Sequence, residues 1–160
     1  MPFRLTRIGG TVEGFATACL LAWLLSAGVG QAAGARPLLV TGADGTSEFQ
    51  VEIAVSAEQR SRGLMSRRSL ADDAGMIFDF GTEQPITMWM RNTYVSLDMI
   101  FIHEDGTIGH IAADTTPLSD TVIPSRVEAR FVLEVGAGTS RRLGIETGDR
   151  VHGPAIDDLR

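Results

Sequence analysis

Lysine is absent from the 160 residues; all 14 basic side chains are arginine, set against 20 acids. No stretch concentrates the arginines into a basic run. An acidic chain without such a run is poorly suited to nucleic acid, whose phosphates demand clustered cations. Cysteine occurs once, as Cys19, so no intramolecular disulfide can form. Beyond residue 35 there is no thiol to act as nucleophile, and no nucleophile-elbow serine motif replaces it. Internal repeats and low-complexity segments are also missing. Stability must therefore come from an ordinary hydrophobic core, which a chain of this length can bury.

The apolar run 15–29 is short for a membrane span. It follows Arg4 and Arg7 and precedes Ala33-Gly34-Ala35, a small-x-small pattern. Together these features predict a secretory signal peptide over residues 1–35, cleaved before Arg36, and hence export, most simply to a periplasm. An uncleaved anchor helix is the alternative. Cys19 lies within the run rather than after it, so lipidation is not expected. Without the leader, 12 basic and 19 acidic residues leave a net charge of −7. Contact with a membrane would come only through the leader before processing.

Residues 36–160 read as a single β-rich domain. Phe49, Val51, Ile53 and Val55 alternate with Glu48, Gln50 and Glu52, as in a strand with one wet face. Ser56 and Gln59 fit a capping box opening a short helix that Gly63 can end. Gly75–Phe80 reads as a buried strand, and 81–85 as a loop. The stretch 88–102, MWMRNTYVSLDMIFI, organises the domain: Asn92-Thr93 turns the chain, and Leu97–Ile102 is apolar on both faces, as in an interior strand. Asp105-Gly106 predicts a tight hairpin with Phe101 opposite His110 and His103 opposite Ile108. Residues 114–126 form a long loop, 130–135 another strand, and Thr139 is placed to cap a short helix. Residues 154–160 read as a loose tail. Seven or eight strands with one or two short helices leave too little chain for parallel crossovers. The expected fold class is mainly β, a compact antiparallel sandwich or barrel.

Arg62-Gly63-Leu64-Met65, Gly75-Met76 with Phe78, Trp89-Met90-Arg91-Asn92-Thr93, Leu97-Asp98, Phe101-Ile102 and Asp105-Gly106 follow one another in order. Pro117, Val132-Leu133-Glu134, Ala137-Gly138, Leu143-Gly144-Ile145 and Gly148-Asp149 continue the series. From Gln59 to Val151 this combination resembles the domain-of-unknown-function 192 family of bacterial and archaeal proteins. The resemblance implies a small jelly-roll-like β domain, often behind a signal peptide. It implies no activity, since the family has none assigned. Arg91 stands where that family often carries lysine; its planar fork suits carboxylate or phosphate.

The leading candidate site gathers Arg62, Arg67, Trp89, Arg91, Asn92 and Asp98. An Asp opening a buried strand is costly unless partnered, and the three arginines are its candidate partners. Such a cluster could hold a small anionic or carbohydrate-like ligand, or an envelope partner. It could equally be an internal network that fixes the hairpin register, or Asp98 could simply accept turn N–H groups. A hydrolase acting on envelope polymers through Asp98 is one alternative; a structural or assembly protein without a small ligand is another. Glu134 and Asp149 are further carboxylates with no evident pairing, and Glu134 reads as solvent-facing. His103, His110 and Met99 share a hairpin face, with the Met88 and Met90 thioethers nearby, but no third strong ligand completes a metal site. Neither a cofactor nor a metal is expected.

Overall fold

The computed structural model describes residues 34–160. The predicted leader, apart from Gly34 and Ala35, lies outside the described residues. Two strands, β1 (Arg36–Gly42) and β2 (Gly45–Ala54), make an antiparallel hairpin. Ser56 then starts α1 (Ala57–Arg62). Its hydroxyl accepts from the Gln59 N–H at 3.1 Å, and the Gln59 side chain accepts from the Ser56 N–H at 2.9 Å, so the predicted capping box is formed.

Next comes β3 (Ala74–Met88), followed by β4 (Leu97–Ile102), β5 (Ile108–Ala112) and β6 (Ile123–Gly136). The chain ends with α2 (Thr139–Leu143), β7 (Arg150–His152) and α3 (Pro154–Asp157). All seven strands form one sheet in the order β5-β4-β6-β3-β2-β1-β7. The sheet curls. The Ile108 N–H donates to the Asp149 carbonyl at 2.9 Å and the Val151 N–H to the Gly106 carbonyl at 2.8 Å, tying the β4–β5 hairpin to the turn before β7 and to β7 itself.

The architecture is therefore mainly β with short helices, as expected. It departs from the sequence reading in several places, among them the start of β6, which reaches back to Ile123 inside the expected 114–126 loop. β2 and β3 pair in parallel, with α1 and residues 63–73 as the crossover. A six-residue helix suffices because the linking loop completes the return. β3 runs through the expected 81–85 loop, absorbing it in register shifts between Asp79 and Gln84 and between Pro85 and Thr87. The expected loose tail instead holds α3, because Ala155 and Ile156 are fully buried against the core.

Position in the sheet explains burial. β4 and the later half of β6 are interior strands covered on both faces, and every residue of β4 is buried. One core cluster holds Leu38, Phe49, Val51, Ile77, Ile100, Phe131, Leu133 and Val151. The opposite cluster holds Leu64, Met76, Phe78, Met90, Leu97, Met99, Phe101 and Val132. The second cluster is capped by the crossover, and the candidate site lies where that cap meets the sheet. Among the described residues, no helix is long and apolar enough to cross a membrane.

Candidate functional site

The predicted cluster does not assemble around Asp98. Asp98 is fully buried, and no guanidinium reaches it. One carboxylate oxygen accepts the backbone N–H groups of Asp114 at 2.9 Å and Gly138 at 3.1 Å; the other accepts that of Ser140 at 2.9 Å. The reading that Asp98 accepts turn N–H groups is the one realised. α2 starts on left-handed Gly138 with no capping side chain of its own, so Thr139 is not its cap. Asp98 reaches across from β4 to satisfy its first amides, the same service an ordinary N-cap gives locally. Asp98 has no exposure, and three backbone N–H groups already occupy its carboxylate.

The other members disperse. Arg67 makes a two-pronged salt bridge to Glu52 at 2.6 and 2.8 Å, which holds the Glu52 carboxyl below its ordinary range. Arg91 bonds Asp120 at 2.6 Å at the surface and lies over the Trp89 ring, 5.6 Å from its centroid. Asn92 adopts the left-handed conformation expected of the turn, and its carbonyl accepts from the Ser66 N–H. Arg62 and Trp89 meet at one cavity, and Arg62 also lines a second one, with Arg67 and Glu52.

That cavity, of about 240 Å³, lies between the crossover and the sheet. Arg60, Arg62, Gly63, Leu64 and Met65 form one wall; Phe78, Phe80, Met88 and Trp89 form the other. Gly63 allows the close approach. Its φ is +44°, and a Cβ there would come within 3.2 Å of the Phe78 ring. Arg60 is held in place by the carbonyls of Val55 and Asp79 and lies over the Phe80 ring, 5.0 Å from its centroid. Arg62 has no ion pair or side-chain hydrogen bond among the described residues.

Glu134 also lines this cavity. Its residue in β6 pairs with Met76 of β3 on one side and Met99 of β4 on the other, so thioether side chains flank it. It is 5% exposed, has no side-chain hydrogen bond among the described residues, and burial pushes its carboxyl up to about 8. The sequence reading placed it in solvent. The signal that could have found it is the one used for Asp98: an acid set within a strand that is apolar on both faces. Glu52 lies in the same cross-strand row, one strand beyond Met76. Yet it faces a separate cavity with Arg67, beyond Met76 and the Gly63–Met65 segment. The two carboxyls share no substrate position.

The histidines also separate. Phe101 pairs with His110 as expected, and their rings stack at 5.8 Å. A register shift puts Ile102, not His103, opposite Ile108; His103 Nδ1 meets Glu83 at 2.8 Å. Among the described residues, no three His, Cys, Asp or Glu side chains group as metal ligands would.

Residues 39–153 match the DUF192 model, described as an uncharacterized ACR family. The chain belongs to the DUF192 family. A Sinorhizobium meliloti 1021 protein described as a candidate transcription regulator shares 48% identity, with 74% of this chain and 92% of that one aligned and a TM-score of 0.72. A protein of unknown function from Novosphingobium aromaticivorans DSM 12444 shares 39% identity over 73% and 84% of the two chains, also with a TM-score of 0.72. No curated protein matches the sequence.

Proposed function

We propose that this DUF192 protein is an exported, periplasmic domain that binds a small anionic or carbohydrate-like ligand in the cavity between Trp89 and Glu134. The observation that carries the reading is Glu134: a carboxyl without a protein partner, in a cavity otherwise mainly apolar. The described residues give this carboxyl no side-chain hydrogen bond, and a bound ligand would supply one. The arrangement of apolar walls with few convergent polar groups is what small-molecule sites use. Trp89, 43% exposed, offers a ring face to a sugar, and Arg62 offers an unpaired guanidinium to an anion.

A second reading, an envelope protein as partner, draws on Trp89, Tyr94, Leu118 and Val122, all exposed on two segments joined by the Met90–Ser119 and Thr93–Leu118 backbone bonds. The regulator description of the Sinorhizobium relative would require a basic face for nucleic acid, and the chain's net charge of −6 counts against it. The hydrogen bonds between the β4–β5 hairpin and β7 favour a barrel-like closure over an open sheet as the finer architecture.

A thermal-shift series of monosaccharides, small carboxylates and phosphates tests the ligand reading. At a hundredfold excess over Kd, ligand binding adds about 2.7 kcal/mol of stability. At least one class should raise Tm, and Trp89→Ala should remove the rise. Silence across the series would refute the reading.

A further inference from the structure

The cavity also constrains which part of a ligand can reach Glu134. We infer, resting on the ligand-binding reading above, that the group seated against Glu134 is uncharged and hydrogen-bonding, an amide or hydroxyl rather than a carboxylate or an ammonium, and that Glu134 receives it as the neutral acid. The walls provide the argument. The groups packed around Glu134 from β3 and β4 are Met76, Phe78 and Met99, and the crossover adds Leu64 and Met65. None of these can solvate an ion. The other charged groups at the cavity are Arg60 and Arg62 of α1, and the remaining polar side chains lining it are the hydroxyls of Ser61, Thr87 and Thr93.

A carboxylate seated against Glu134 would have to shed its water among Met76, Phe78 and Met99, none of which can compensate its charge. An ammonium would need Glu134 ionised, yet two guanidiniums already stand at this cavity and neither pairs with it. Arg60 is committed to Val55 and Asp79, and Arg62 makes no ion pair among the described residues despite lining the same space. The chain's own cations thus leave the carboxyl alone, and they would repel an entering one. Burial acts in the same direction, holding the proton on Glu134 at neutral pH. A neutral carboxyl offers one O–H donor and an acceptor oxygen, which an amide or a hydroxyl can match at once.

Three probes of matched shape separate the cases: butyramide, butyrate and butylammonium, followed by ¹H–¹⁵N NMR at the Trp89 indole and the Gly63 amide of the whole protein. Butyramide should give saturable shifts at pH 6 that weaken at least tenfold by pH 9.5. Glu134→Gln, neutral at every pH, should bind butyramide with an affinity that no longer changes over that range, and Glu134→Leu should lose it at both. Tighter binding of butylammonium, strengthening as pH rises, would make Glu134 a counter-ion and overturn the inference; tightest binding of butyrate would do so by placing the ligand's charge on Arg62. A response to sugars or phosphates without one to butyramide would overturn this inference and leave the ligand reading standing. No response to any of them would remove both.

Discussion

Replacing Glu134 by Gln should change how stability depends on pH more than it changes stability at low pH. The unfolded carboxyl titrates near 4.5, the folded one near 8. Below 4.5 both states are protonated and the side chain carries no ionisation penalty. As pH rises from there to 8, the unfolded chain releases a proton that the folded chain keeps, so unfolding gains and stability falls. Above 8 the penalty is constant, at roughly 5 kcal/mol. That is a large part of the ~5–15 kcal/mol typical of a domain. Gln cannot ionise, so the gap between the variant and the native chain should widen by about 4 kcal/mol between pH 5 and pH 9. Every other titrating group is common to both proteins and cancels. Urea unfolding at several pH values measures the gap directly. Two profiles that stay parallel within about 1 kcal/mol would refute the claim that the carboxyl is buried and neutral.

Three further substitutions separate structural from surface roles. Asp98→Ala takes the acceptor from three N–H donors, that of Ser140 buried and those of Asp114 and Gly138 part-buried, and should cost on the order of 2–4 kcal/mol by chemical denaturation. Arg91→Ala breaks the exposed pair with Asp120 and the contact with the Trp89 ring, and should move stability by no more than about 1 kcal/mol, leaving the circular dichroism spectrum unchanged. Arg130 is 8% exposed and bonds Asp79 and Glu104 side chains and the Leu159 carbonyl, so Arg130→Ala takes the cation from the Asp79 carboxylate, whose side chain is 12% exposed. A loss of about 3–5 kcal/mol is expected in the same assay.

The sequence exposed local features best. The capping box of Ser56 and Gln59, the left-handed turn at Asn92 and the buried double-faced strand at Leu97–Ile102 each depend on residues close together in the chain. The parallel pairing of β2 with β3 was hidden because its crossover is mostly loop, without the long helical pattern that marks such units. Burial of Asp98 was legible, but its partners were not. Backbone amides carry no signature in the sequence, whereas arginines do, and the arginines drew the assignment away from the start of α2. Glu134 was missed for a related reason. Its strand was legible from 130–135, but its place in the sheet depends on β3 and β4 closing from both sides. Arg62 and Trp89 drew notice because they are exposed at the edge of the cavity, where polar and aromatic residues stand out in the sequence. Its floor reads as ordinary core.

A neutral Glu134 facing the cavity has a signature in its own titration. A ¹³C NMR titration of the Glu134 side-chain carboxyl, assigned by comparison with Glu134→Gln, should give a midpoint near 8 in the free protein. A midpoint in the ordinary glutamate range, near 4.3, would contradict it.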